Sequence, residues 1–151
     1  MGQELKFHFN PFKQGLNQVL GTLEKDIMEV LWKHGESSIK DIVDTISTDK
    51  KISYSTVITV TNRIEKKGLL RKRKVGKAYF YQPVYTKEQF LELVSKKIVE
   101  GVSEFSLQSV MVHFIDCMAE LDPAKIEYFS KLIEKKKQSL ISGNSRYPKK
   151  A

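Results

Sequence analysis

Residues 48–82, TDKKISYSTVITVTNRIEKKGLLRKRKVGKAYFYQ, constrain the fold more than any other stretch. A helix-period run, a glycine stop and two β-prone runs about a second glycine follow one another there without a spacer. Val57, Val60 and Ile64 recur at i, i+3 and i+7, one face of a helix. Ser53 offers an N-cap and Gly68 a stop after Lys67. The runs beginning at Leu69 and at Ala78 flank a turn containing Gly76, which predicts a hairpin. The segment also holds ten Lys or Arg against two acids, a net charge of +8, which equals the net charge of the whole chain. The remaining residues therefore balance to zero, and the chain is a neutral body carrying one cationic segment. Charge concentrated in this way predicts a polyanionic partner, most simply nucleic acid.

The 151 residues suffice for one domain, or for two very small ones sharing a dimer. No run approaches the length of a membrane span, and the N-terminus has no apolar signal core. Lys6 stands where a myristoylation motif needs Ser or Thr. The single cysteine, Cys117, excludes an intramolecular disulfide and an all-cysteine metal site, so a reducing cytoplasm is expected and no cofactor is implied.

Residues 1–20 show no clean period; Phe7, Phe9 and Phe12 surround the breaker pair Asn10-Pro11, giving an arm that either packs its aromatics or frays. A first helix is predicted from Leu23 to Lys33, with Leu23, Ile27, Val30 and Leu31 on its apolar face and Thr22 as N-cap. Lys25 occupies the capping-box position of that helix, so no box is expected; His34-Gly35 ends it. A second helix begins at Ser38, with Asp41 completing a capping signal and Ile39, Ile42, Val43 and Ile46 as its stripe. The helix begun at Ser53 is the third, so the hairpin after it is predicted to be the wing of a helix–turn–helix unit. Tyr79 and Tyr81 share one face of its second strand, Phe80 takes the other, and Pro83 ends the pairing.

The outer side of the third helix carries Ser55, Thr56, Thr59, Asn62 and Arg63, with Lys66 a turn further on. Ser, Thr and Asn are mediocre helix formers. Their short hydrogen-bonding tips suit close approach to base edges: Thr can also touch a thymine methyl, and Asn can bond adenine bidentately. Taken alone, this face fits an exposed helix of indifferent composition equally well, and a Lys-rich hairpin fits edge protection. The adjacency of the two favours the DNA reading.

After Thr86 the composition changes. Thr86 and Gln89 form a capping box for a helix to about Glu100, which Gly101 loosens. A run from about Phe105 to Glu120 is apolar nearly all round, and Asp122-Pro123 starts a last helix that Gly143 ends before a basic tail. A helix apolar on most sides is normally buried on most sides. Burial against a second copy, in a two-fold symmetric dimer, is the simplest solution, and docking on the same subunit is the alternative. The expected interface is Phe105, Leu107, Val110, Met111, Phe114, Ile115, Met118, Ile126, Phe129 and Ile133. The fold class is thus mainly α (α+β): an arm (1–20), a winged helix–turn–helix domain (21–85), a three-helix dimerisation domain (86–142) and a basic tail (143–151).

Three segments, LEKDIMEVLWKHGESSIKDIVDTI, SYSTVITVTNRIEKKGLL and GKAYFYQPVYTKEQF, resemble the BlaI/MecI penicillinase-repressor family over residues 20–142 or so. The anchors are Val30-Leu31-Trp32, the run from Thr56 through Asn62-Arg63 to Gly68, and the Tyr-rich strand closing at Pro83. The resemblance implies a homodimeric repressor on a palindromic operator, in many members released when a membrane sensor-protease triggers cleavage of the C-terminal domain. A copper-responsive branch carries a Cys-rich motif, which a chain with Cys117 alone does not match. The Asn-Phe step cleaved in antibiotic-responsive members falls at His113-Phe114, where Phe114 matches and His113 departs.

In this reading the third helix enters the major groove. Ser55, Thr56, Thr59 and Asn62 are the base-edge candidates, Thr56 and Thr59 the most central, and Ser53 and Tyr54 at the helix start also bind DNA. Lys50, Lys51, Arg63 and Lys66 reach phosphates, and Arg71, Lys72, Arg73, Lys74 and Lys77 of the wing hold backbone or minor groove. An enzyme is disfavoured: His8, His34 and His113 fall in three separate segments, and Gly76-Lys77 follows no phosphate-loop pattern. The rival readings are a winged-helix regulator with a small-molecule pocket and a protein-interaction module.

Overall fold

A computed structural model of the chain describes residue 13 and residues 15–48, 51–103 and 106–143. Phe7, His8, Phe9 and Phe12 of the arm, Lys50, Phe105 and the tail from residue 144 lie outside the described residues. The chain forms two compact units, Met1–Ile98 and Val99–Ala151.

The first unit holds a 3-10 turn (Gly15–Gln18), helix α1 (Thr22–His34), strand β1 (Ser37–Ser38), helices α2 (Ile39–Ile46) and α3 (Tyr54–Lys66), strands β2 (Leu70–Val75) and β3 (Ala78–Pro83), and most of helix α4 (Lys87–Val102). Its core is built from Ile27, Met28 and Leu31 of α1, Ile39, Ile42 and Ile46 of α2, Val57, Val60 and Ile64 of α3, and Leu69, Leu70 and Tyr81 around the hairpin. This is a winged helix–turn–helix. Phe90 and Val94 of α4 join the same core, Phe90 with its ring centroid 5.5 Å from that of Trp32. The Trp32 indole N–H donates to the Tyr85 carbonyl at 2.9 Å, and Lys87 pairs with Glu29 at 2.8 Å. Each buried side chain of this size is worth about 1.5–3 kcal/mol. That is why the first unit extends past residue 85, the boundary expected from sequence, and why α4 begins as part of the winged domain.

Two capping signals behave as their spacing predicts. The Asp41 amide donates to Ser38 Oγ at 3.2 Å while Asp41 Oδ2 accepts the Ser38 amide at 3.0 Å. Thr86 and Gln89 make the same reciprocal pair at 2.9 and 3.2 Å. At α1 the expected N-cap is corrected: Thr22 is the first helical residue and Gly21 the cap. That shift places Glu24 rather than Lys25 at the third helical position, and its carboxylate accepts the Gly21 amide at 2.9 Å. Gly101 does not loosen α4, which runs through it to Val102.

The hairpin gains a partner. The sheet has three antiparallel strands in the order β1-β3-β2, with Ser37 opposite Tyr81 and Ser38 opposite Phe80. Two residues are too few to show a period, so β1 left no signal in the sequence. The turn at Gly76, with φ of +60°, pairs Val75 with Ala78 and so fixes Lys74 opposite Tyr79, Arg73 opposite Phe80 and Lys72 opposite Tyr81.

The second unit is a helical pair, α5 (Leu107–Leu121) and α6 (Pro123–Ile141), packed on each other. Ser106 caps α5, and Asp122 caps α6 ahead of Pro123. Neither helix has a buried residue. Among the described residues no helix is long and apolar enough to cross a membrane.

Candidate nucleic-acid interface

Helix α3 turns Val57, Val60, Thr61 and Ile64 inward, and this forces Ser55, Thr56, Thr59, Arg63 and Lys66 outward, where all are exposed. The helix start is a chain of hydroxyls. Ser53 Oγ accepts the Thr56 amide at 3.2 Å and lies 2.7 Å from Thr56 Oγ1 and 3.1 Å from Ser55 Oγ. Thr59 Oγ1 donates to the Ser55 carbonyl at 3.0 Å. Its proton being committed, Thr59 presents outward an acceptor oxygen and a methyl group. It thus suits an exocyclic amino group or a thymine methyl rather than a base acceptor. Tyr54 is 53% exposed beside this row, and Lys51 is exposed ahead of it.

Asn62 is placed differently from its expected role. It is half-buried, and its Oδ1 accepts the Tyr81 hydroxyl at 3.0 Å. Asn62 therefore joins α3 to the wing, and a bidentate contact to adenine would share its Oδ1 with the Tyr81 hydroxyl.

The wing divides its cations by face, because the strand period sends alternate residues to opposite sides. Lys72 and Lys74 lie on the side of Tyr79 and Tyr81: Lys72 Nζ sits 4.2 Å from the Tyr79 centroid and 5.7 Å from that of Tyr81, and Lys74 Nζ sits 5.8 Å from Tyr79. Tyr81 is buried while Tyr79 is 44% exposed, so the shared face runs from core to solvent along the strand. Arg71 and Arg73 take the other side. Arg73 is not free: Nε and Nη2 donate to the two carboxylate oxygens of Glu36 at 2.9 and 2.6 Å. Sequence reading missed this partner, since Glu36 is far away along the chain and sits in a turn without periodicity. Lys67, at the end of α3, is also committed, to Glu24 at 2.8 and 2.7 Å. Between α3, the start of α2 and the wing lies an open cleft of about 490 Å³, lined in part by Lys40, Tyr54, Asn62, Lys72, Lys77 and Tyr79.

The structure thus brings Ser53, Tyr54, Ser55, Thr56, Thr59, Arg63 and Lys66 together on one helix, with Lys72, Lys74 and Lys77 on the adjoining hairpin. The expected interface residues of the second unit separate into two groups. Leu107, Met111, Phe114, Ile115 and Ile133 are exposed, whereas Val110, Met118, Ile126 and Phe129 are half-buried. The Phe114 ring also contacts Phe129 of the same chain, with centroids 5.9 Å apart. His113, at the expected cleavage step, has a side chain 81% exposed.

A model of the family described as penicillinase repressor matches residues 20–135. The chain is similar to the transcriptional regulator BlaI of Mycobacterium tuberculosis, 30% identical over 102 residues that cover 64% of this chain and 72% of that one. It is similar also to the penicillinase repressor of Bacillus licheniformis, 26% identical over 93 residues covering 62% of this chain and 73% of that one. The solution structure of the DNA-binding domain of the repressor BlaI aligns at 26% identity and a TM-score of 0.43, covering 51% of this chain and 93% of that one.

Proposed function

We propose, from the premise that this chain belongs to the penicillinase repressor family, that it is a DNA-binding transcriptional repressor reading its operator with α3 and gripping the backbone with the wing. The observation that carries this reading is the exposed Ser/Thr face of α3, beside a cleft that Tyr54 and Asn62 line from α3 and Lys72 and Lys77 line from the wing. The protein is no enzyme; its family is one of transcriptional repressors.

Thr56 and Thr59 are the central base readers, with Ser53, Tyr54 and Ser55 at the helix start. Lys51, Arg63 and Lys66 hold phosphates flanking the groove, and Lys72, Lys74 and Lys77 hold the strand that enters the cleft. Phosphate contacts set register and affinity, and base contacts set sequence choice. The repressor works as a cytoplasmic homodimer through α5 and α6 on a palindromic site, its reading helices about 34 Å apart, one duplex turn. Three to five phosphates per subunit correspond to roughly six to ten counterions released, a loss of about 10³ to 10⁵ in affinity between low and moderate salt. Loss of the dimer releases the operator, since one half-site binds far more weakly. A sensor-protease is one route to that loss. The His113-Phe114 step lies within α5 with both side chains exposed in the single chain, and its first residue departs from the family pattern.

The test separates the two kinds of contact. Lys74→Ala weakens binding to every duplex alike and lowers the salt slope by about 1 per subunit. Thr59→Ala changes base preference, by about 1–3 kcal/mol at the contacted pair. Gel shifts over a salt series and on a randomised duplex pool measure both. Two variants that merely weaken all sequences uniformly overturn the assignment.

A further inference from the structure

We infer that Glu36 is a positioning residue of the wing: it holds Arg73 out of the phosphate contacts and so sets how much sequence-independent affinity the wing supplies. This rests on the DNA-binding reading above. The geometry is a planar fork against a carboxylate, two parallel bonds of 2.9 and 2.6 Å. Charge-assisted bidentate pairs are the strongest hydrogen bonds that side chains make. Among the described residues, Arg71, Lys72, Lys74 and Lys77 have no carboxylate partner, so Arg73 stands apart from its four cationic neighbours.

The backbone on both sides of the pair is fixed. Glu36 follows Gly35, whose φ of +78° turns the chain out of α1, and precedes β1, which is paired to β3. Arg73 lies in β2, paired on the other edge of β3 opposite Phe80. The ion pair therefore reaches across the central strand and ties the outer strand of the wing to the segment entering the sheet. Arg73 is placed by the sheet and Glu36 lies next to β1, so the freedom lost in making the bond is mainly that of the two side chains. Both also stay charged under ordinary conditions. The Arg73 hydrogen bonds hold the Glu36 carboxyl below its usual range, and Glu36 raises Arg73 in turn.

A guanidinium engaged at two of its donors by a carboxylate is neutralised as a unit and releases no counterion from DNA. Freed, it would add one phosphate contact per subunit. Glu36→Gln removes the charge that holds it while leaving the side-chain shape, and the exposed setting of the pair, Arg73 at 65% and Glu36 at 30%, leaves the core untouched.

The experiment is a salt titration of the full chain on a random duplex. With Glu36→Gln, the plot of log affinity against log salt steepens by about 0.9 per subunit. Adding Arg73→Gln to that variant removes the gain. An unchanged slope in Glu36→Gln overturns the inference. So does a gain that persists in the double variant, which would mean that Glu36 acts by direct repulsion of DNA. Circular dichroism melts confirm that each variant is folded before its slope is read. If the wild-type chain binds no duplex, the DNA-binding reading itself fails. If it binds and only the slope is unmoved, this inference fails alone.

Discussion

At the scale of single residues, charge committed inside the protein matters as much as charge presented to a partner. Glu24 is 4% exposed, and its carboxylate takes both Lys67 bonds and the Gly21 amide. Burial alone would raise its pKa. The Lys67 hydrogen bonds, the Gly21 amide and the charges of Lys67 and Arg63 outweigh burial and hold it below the usual range. A carboxyl depressed in the folded state stabilises the fold above its unfolded pKa and loses that contribution as pH falls through the folded value. The loss therefore begins near pH 4.5 and grows below it. Glu24→Gln should cost about 1–3 kcal/mol at neutral pH, and the deficit should shrink as the titration proceeds. Denaturant unfolding at several pH values measures this, and a constant deficit down to the acid limit contradicts the ion pair as its source. None of this pairing was legible in the sequence. Lys67 reads there as one more cation of the basic segment, and only the packing of α1 on α3 brings Glu24 to it.

At the scale of elements, what was legible is what depends on neighbours in the chain. Ser38 with Asp41, Thr86 with Gln89, Ser53 before α3 and Asp122-Pro123 before α6 act within one helical turn, so their spacing carries the information. The cap of α1 was misplaced by one residue because the group that decides it, Glu24, is also held by Lys67 from another helix. β1 was missed because its two residues form a strand only through β3. The outward face of α3 was readable from the period of Val57, Val60 and Ile64, but the withdrawal of Asn62 was not. That depends on Tyr81 reaching back from β3, although the tight turn at Gly76 does fix Tyr81 and Lys72 opposite each other. The Tyr81–Asn62 bond is the side-chain hydrogen bond joining reading helix to wing among the described residues, so Tyr81→Phe tests whether the two act as one body. Thermal melts should show a loss of about 0.5–1.5 kcal/mol. Operator affinity should fall while the salt slope stays, since no cation is removed. A changed slope would instead assign Tyr81 an influence on the lysines stacked beside it.

At the scale of the molecule, the second unit poses a burial problem that one chain leaves open. Met111, Phe114, Ile115 and Leu121 of α5 are 40%, 46%, 42% and 82% exposed, and Leu132, Ile133 and Leu140 of α6 are 43%, 44% and 55% exposed. Apolar area of this extent on a two-helix unit costs about 25 cal/mol per Å² left in water. A second copy removes it by presenting the same faces, and a two-fold interface needs only self-complementarity. Phe114 is a poor probe of that interface because its ring also packs on Phe129 of its own chain. Ile115→Asp is better: it places a charge on the exposed stripe and spares that ring contact. Sedimentation should show the wild-type chain dimeric at micromolar concentration and the variant monomeric. The melting temperature of the wild type should rise with protein concentration, as it must when folding and association are linked, and that dependence should vanish in the variant. The variant should keep its half-site binding with the slope of one subunit and lose the tight binding to the full palindrome. A variant that stays dimeric moves the interface off this stripe. A variant that turns monomeric yet holds the palindrome as tightly as before removes dimerisation from the mechanism of repression and leaves each winged domain to act by itself.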